Sequence, residues 1–353
     1  MRPIRVFTAT LVVVMAALGL STALALDLKP EYYVVKDFKL ISGAVLPEMK
    51  VEYAVAGTPK KDVAGKITNA VVFCHGWSGN YNQINIMKGV IGPDKSVNPE
   101  RFFYIFPTAL GSPGSSCPSV SGAGPDFPKY NIADMIAAQY LLVKDHLKID
   151  HLAGVMGASM GGAQTLQWIT DHPEMVDWAI PIATGPAIAG RNVGIFGLMS
   201  ELIRSDPAYQ GGRYKTQPKA GMRLAFMSTY LFYFTPEFFA TKFKTPAEVM
   251  KGLENAGLGS EKMDANDIIW RNEAMMDYDV KAKLPQVKAK TLVVGVNSDE
   301  LFPPEDEFRP VAYGLPGAKL FAYDSVFGHL GCALEAAKAD KAMLDFINSC
   351  SKQ

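Results

Sequence analysis

The chain carries no excess charge. Its 35 Lys and Arg residues balance 35 Asp and Glu residues over 353 positions, and neither sign gathers into long runs. That removes the electrostatic footprint of a nucleic-acid binder and leaves no surface of one sign for a charged partner. Cysteine is scarce: Cys74, Cys117, Cys332 and Cys350 form neither a C-x-x-C pair nor a cluster with histidine, which argues against a structural zinc site. No metal ion or cofactor is expected. Histidine is nearly as scarce, at five, and this scarcity makes an assignment by elimination workable. Long apolar runs are also missing. The uncharged run from Val6 to Leu20 is short for a bilayer span of about 20 residues.

That run has a different meaning. Arg2 and Arg5 precede it and Ala23-Leu24-Ala25 follows it, the order of a secretory signal peptide with a small-residue cleavage site. Residues 1–25 are therefore expected to be a leader, with no stable membrane span after its removal and a periplasmic or secreted product. Loss of Arg2 and Arg5 leaves a slight acidic excess. In an oxidising compartment, four cysteines allow three pairings.

What the sequence does have is core-forming material, at 48% hydrophobic residues, enough for one large α/β domain or two small ones. Tyr33–Ile41 and Met49–Ala56 read as an N-terminal hairpin. Ala70–Cys74, Arg101–Pro107, Leu152–Met156, Trp178–Ala183, Thr291–Val296 and Lys319–Tyr323 are short apolar runs of the kind that fill buried strands. Amphipathic segments lie between them: Asn131–Leu147 with Asn131 as N-cap, Met160 to about Asp171 stopped by His172-Pro173, and Cys332 to about Asn348. Alternating strands and helices predict a mostly parallel central sheet with helices on both faces. From Gly185 to about Leu284 the strand signal disappears and Met, aromatic and helical patterns take over, so residues 185–285 read as an inserted helical cap between core segments 26–184 and 286–353. The Gly-, Ser- and Pro-rich stretch Thr108–Lys129 reads as a long loop above a strand end, where open α/β sheets bind ligands.

One stretch organises the rest. Gly157-Ala158-Ser159-Met160-Gly161 follows a strand and opens a helix, which is the pattern of a nucleophile elbow: glycines flank a serine forced into a turn too tight for neighbouring side chains. The helix N-terminus then presents unsatisfied N–H groups to charge developing on a substrate oxygen, and the Met160 amide is one expected oxyanion donor. His75-Gly76-Trp77-Ser78-Gly79 follows the Ala70–Cys74 strand, the place of the second donor, assigned to the Trp77 amide; His75 there is expected to be structural. Elbow enzymes order their triad as serine, acid, histidine. His75, His146 and His151 precede Ser159, and His172 ends the helix that Ser159 begins, which leaves His329 as base. Asp299, three residues beyond Val296, is the expected acid, with Glu300, Asp306 and Asp324 as rivals.

With these residues placed, the chain resembles the homoserine O-acetyltransferase branch of the α/β-hydrolase superfamily. The resemblance rests on His75–Asn80, Arg101–Gly111, Gly157–Thr184, Arg204–Tyr209, Asp264–Asn266, Val293–Pro304 and Gly328-His329. It implies the α/β-hydrolase fold and the same triad: Ser159, Asp299 and His329. Two stretches depart from the family. Tyr233-Phe234-Thr235 stands where its acetyltransferases carry Tyr-Arg-Ser, whose arginine helps hold the amino-acid carboxylate, and Gly185-Pro186-Ala187 replaces Ser-Pro-Arg. Arg191 or Arg223 could restore the cation from another element.

The expected activity is that of an exported serine hydrolase acting on a small acyl substrate through an acyl-enzyme on Ser159. The alternatives are an acyltransferase that shares the first half-reaction and a binding protein without turnover. A homodimer is left open. A disulfide between Cys117 and Cys332 is expected at the rim of the site, because about 18 helical residues would hold Cys332 and Cys350 about 27 Å apart, beyond the roughly 7 Å limit.

Overall fold

The computed structural model describes residues 25–350, so the expected leader lies outside the described residues apart from Ala25. The sheet is built from β1 (Glu31–Lys39), β2 (Val45–Ala56), β3 (Ala70–Cys74), β4 (Phe103–Pro107), β5 (Leu152–Ala158), β6 (Val176–Ile182), β7 (Lys290–Val296) and β8 (Lys319–Tyr323). Its spatial order is β1-β2-β4-β3-β5-β6-β7-β8. The first hairpin and its junction with β4 are antiparallel, and every pairing from β4 through β8 is parallel. This is the α/β architecture that the alternating pattern predicts, with the hairpin added to one edge.

The longer helices are α1 (Ile132–Leu141), α2 (Met160–Asp171), α3 (Arg191–Arg204), α4 (Lys219–Tyr233), α5 (Pro236–Lys242), α6 (Pro246–Leu258), α7 (Ala265–Met276), α8 (Phe308–Gly314) and α9 (Ala337–Cys350). Successive strand residues face opposite sides, so the continuous apolar strands supply two cores at once. Val72, Cys74, Ile105 and Val155 join side chains of α1, α2 and α8 in one layer. Val71, Phe73, Tyr104, Phe106 and Met156 join Ala339, Met343, Phe346 and Ile347 of α9 in the other. Between β6 and β7 every named element is helical. Among the described residues no helix is long and apolar enough to cross a membrane.

Local chemistry sets the helix ends. Asn131 caps α1 through the Asp134 amide, and the Asp134 carboxylate returns to the Asn131 amide, a reciprocal capping box. Helix α2 starts directly after Ser159 and stops at His172.

The Thr108–Lys129 stretch, read as a long loop, is tied down along its length. Its first part is stitched to β2: the Ser116 amide donates to the Lys50 carbonyl, the Thr108 amide to the Glu52 carbonyl, and the Glu52 amide to Ser115 Oγ. Pro118–Ser121 then forms one helical turn. Small residues are needed here because the segment is buried against a strand, so its composition reflects close packing.

Candidate active site

The elbow has the strain its spacing implies. Ser159 sits at φ 59°, ψ −123°, in the sparsely populated region that persists only under constraint from its surroundings. A Cβ on Gly157 would lie 2.5 Å from the Cys74 carbonyl oxygen, and one on Gly161 would overlap the same oxygen. Glycine is required at both positions because the loop after β3 is pressed against the elbow.

His329 lies in a short turn after β8, with Gly328 at φ 52°. Its Nε2 is 2.9 Å from Ser159 Oγ and its Nδ1 is 2.6 Å from Asp299 Oδ2. Asp299 Oδ1 accepts the Leu301 and Phe302 amides at 2.9 and 2.7 Å. The two oxygens of Asp299 thus divide the work: one is fixed by backbone and the other orients the imidazole. With the carboxylate accepting, Nδ1 carries the proton and Nε2 offers its lone pair to the serine hydroxyl. The Asp299 side chain is fully buried. Its rivals stay outside this chain of bonds, with Asp306 and Asp324 exposed and Glu300 half-buried.

The two segments expected to carry the oxyanion donors lie against each other. Met160 is the first residue of α2. A Cβ on Gly76 would come within 3.2 Å of the Ala158 carbonyl, so the Gly76-Trp77 segment lies directly on the elbow. His75 is structural, as expected. Nδ1 donates to the Gly76 carbonyl at 2.7 Å and Nε2 accepts the Ala109 amide at 2.9 Å, the pattern of a neutral ring. Burial pushes it down to about 4. His146 and His151 are exposed, and His172 stacks on Tyr140 at 4.3 Å, all away from the elbow.

Aromatic rings surround His329. The Phe302 ring lies 5.1 Å away, and Tyr233 stacks on the imidazole at 6.3 Å with an interplanar angle of 23°. Phe234, which the resemblance sets at the place of the family arginine, is buried and stacked on Phe238 at 4.1 Å. Of the two candidate substitutes for that cation, Arg191 donates to the Glu300 carbonyl and stands over Phe232, and Arg223 is half-buried on α4.

A different arginine was missed. Arg271 of α7 is buried, with Nη1 donating to the Trp77 carbonyl and Nη2 to the Gly111 carbonyl, each at 2.8 Å. Its neighbour Asn272 accepts the Trp77 indole N–H at 3.0 Å. Sequence gives little signal for this, because both Arg271 acceptors are backbone atoms of remote loops. Glu307 was also missed. It is buried beside Asp299, with Oε1 accepting from Asn192 and Oε2 without a partner. Burial, with the Asp299 charge adding to it, pushes its carboxyl up to about 8.

The expected Cys117–Cys332 disulfide is not formed; both thiols are free. Cys117 Sγ faces Ser119 and the Asp267 carboxylate of α7. Cys332 belongs to the apolar layer beneath Val294 and Val296. Proximity to the same rim in sequence therefore does not bring them together, because the turn after His329 carries Cys332 down into the core.

Among the described residues no group of His, Cys, Asp and Glu is arranged to hold a metal ion. A nucleophile, a base and an acid beside a helix N-terminus are the parts that acyl transfer uses.

Comparison with known proteins agrees with this chemistry. Residues 69–330 match the alpha/beta hydrolase fold family. A probable acyltransferase from Methanothermobacter thermautotrophicus is 37% identical, over 91% of this chain and 98% of that one. A homoserine O-acetyltransferase from Trichormus variabilis is 29% identical, over 91% of this chain and 94% of that one. Among solved structures, an acetylester hydrolase from Corynebacterium glutamicum superposes with a TM-score of 0.81 at 25% identity, covering 91% of this chain and 96% of that one. The relatives share acyl-transfer and ester chemistry, and the chain is an enzyme of that chemistry. It belongs to the alpha/beta hydrolase fold family, in a branch similar to the homoserine O-acetyltransferases.

Proposed function

We propose that the protein is an exported serine esterase that forms an acyl-enzyme on Ser159 and releases the acyl group to water. Ser159 Oγ attacks the ester carbonyl while His329 Nε2 takes its proton. The Trp77 and Met160 amides receive the oxyanion, and Asp299 holds the imidazolium that forms. The proton passes from His329 to the departing alcohol. Water then attacks the acyl-enzyme by the same route, with His329 again as base.

The observation that carries the choice of water is the surround of His329. Phe302 and Tyr233 flank it, Phe234 stands where the resemblance sets the carboxylate-binding arginine, and the buried guanidinium of Arg271 is committed to two backbone carbonyls. An amino-acid carboxylate placed there would be buried unpaired, at a cost of several kcal/mol. An apolar or aromatic ester fits this surround. The helical segment 185–285, taken as a cap over the sheet end, supplies Tyr233 and Phe234. The leader over residues 1–25 supports export away from the compartment that holds coenzyme A.

The names of the relatives favour a second reading, an acyltransferase in which an alcohol replaces water in the second half-reaction. The test is acetyl-coenzyme A consumption with and without homoserine, beside a panel of p-nitrophenyl esters. The hydrolase reading expects ester turnover and no homoserine-dependent rate. A large homoserine-dependent rate that saturates at low concentration overturns it.

A further inference from the structure

Trp77 is gripped three times by two consecutive residues of one helix. Arg271 Nη1 donates to its backbone carbonyl at 2.8 Å, Asn272 Oδ1 accepts its indole N–H at 3.0 Å, and the guanidinium lies 5.1 Å from its ring centre. We propose that Arg271, assisted by Asn272, is a positioning residue of the reaction. The pair fixes the loop after β3 so that the Trp77 amide stays aimed at the substrate oxygen. The inference rests on the Ser159 hydrolase reading and adds to it a residue that touches neither substrate nor triad.

The energetics favour this role over simple packing. Arg271 is buried, its Nε has no partner, and both of its Nη atoms are given to backbone carbonyls. Asp267, one turn earlier on α7, spends its carboxylate on the Ser119 amide and hydroxyl. The Asp267 charge acts on the guanidinium only at a distance, and a buried cation with no carboxylate bonded to it is a poor stabiliser compared with an apolar side chain of similar volume. Its geometry does what an apolar side chain or a lysine cannot: the rigid fork reaches two carbonyls at once, Trp77 on one loop and Gly111 on the other. Asn272 is itself held, with Nδ2 donating to the Phe196 carbonyl at 3.3 Å and to Ser200 Oγ at 3.1 Å on α3.

The rest of the loop is fixed from the core side. Gln164 of α2 donates to the His75 carbonyl and Gln83 accepts the Gly76 amide. Those bonds hold residues 75 and 76, and the grip on Trp77 comes from α7. The fork also places a permanent positive charge on the loop that carries the Trp77 amide, in a buried setting where such charge acts strongly. Helix α7 belongs to the helical segment between β6 and β7, so docking of that segment and readiness of the oxyanion hole are one event.

The test uses the full-length protein and the variants Arg271→Lys, Arg271→Met and Asn272→Leu. Active sites are titrated with a fluorophosphonate, so that kcat is expressed per labelled serine and misfolded protein drops out. Each variant is then given a KM on p-nitrophenyl acetate and a Ki for an arylboronic acid, which forms a tetrahedral adduct on the serine. The expected result is a fall in kcat per labelled site of about ten- to a hundredfold, below the roughly 10²–10³ that follows loss of a donor itself. KM changes little, and the boronate Ki rises by the same factor as kcat/KM falls. Lysine at 271 recovers only part of the rate. Wild-type kcat per labelled site in the variants overturns the proposal, as does a fall in rate with an unmoved boronate Ki. If the Arg271 variants give no labelled protein, Asn272→Leu is judged by the same two readouts. A wild type that labels at Ser159 but hydrolyses no ester contradicts the hydrolase reading instead, and the boronate Ki alone then decides the clamp.

Discussion

Ser159 spends stability on position. Its backbone, at φ 59° and ψ −123°, costs on the order of 1–3 kcal/mol relative to an ordinary conformation. Ser159→Ala keeps that strain and the fold while removing nearly all turnover. Ser159→Gly is equally inactive but melts at a higher temperature, because glycine adopts positive φ without strain. Thermal melts of the two variants side by side check this. Asp299→Asn leaves the imidazole near the serine but with the wrong tautomer and without a countercharge, and should slow the reaction by about 10³–10⁴-fold. A variant retaining most of the activity means the acid is another residue. Glu307 offers a prediction of opposite sign. Its carboxyl, pushed up to about 8 by burial first and by Asp299 second, resists ionisation in the fold while the unfolded chain ionises near 4.5. It therefore lowers stability progressively as pH rises from about 4.5 to about 8. Glu307→Gln, which keeps the acceptor for Asn192 Nδ2, should raise the urea midpoint at pH 8 and change it little at pH 4. The hydrogen-bonded chain Ser159–His329–Asp299 was legible in sequence because the order of serine, acid and histidine leaves His329 alone among five histidines. Arg271 and Glu307 were not, since a lone charged residue on a helix or in a turn reads as solvated and only the tertiary structure buries it.

At the scale of elements, the joint between β5 and α2 is where tolerance is lowest. Gly161→Ala drives a Cβ into the Cys74 carbonyl and the loop that carries Trp77. The expected outcome is loss of activity out of proportion to any loss of folded protein, measured as kcat per fluorophosphonate-labelled site. Removing the cap of α1 is milder. Asn131→Ala breaks the bond to the Asp134 amide and should cost about 1 kcal/mol in denaturant unfolding with activity unchanged. Helices α1 and α2 could be read from sequence because their signals are local: an N-cap at Asn131 and a stop at His172-Pro173. The attachments of the Thr108–Lys129 loop could not, because its partners Lys50, Glu52 and Asp267 lie far along the chain. The Cys117–Cys332 expectation failed for the same reason. Sequence placed both cysteines near the rim of the sheet, but which layer each thiol enters depends on the turn after His329.

For the molecule as a whole, the site and the sheet share their acid sensitivity. His75 is buried neutral and titrates near 4, chiefly through burial, while in the unfolded chain it titrates near 6.5. The unfolded state takes up the proton first, so this group's stabilisation is complete above about pH 6.5 and is lost as pH falls toward 4. The wild type should lose urea stability over that window, and His75→Gln should lose less, although its stability at pH 7 starts lower. Because His75 holds the Gly76 carbonyl and the Ala109 amide, the oxyanion loop should loosen in the same window. The central claim is an acyl group carried by Ser159 and surrendered to water. It is tested most directly by quenching the protein in acid shortly after mixing with p-nitrophenyl acetate, then measuring intact mass and mapping the modified peptide. The account predicts one added acetyl group, located on Ser159, that decays at the same rate with and without homoserine. Acetyl found on another residue, or acetyl on Ser159 that persists until homoserine is added, contradicts it.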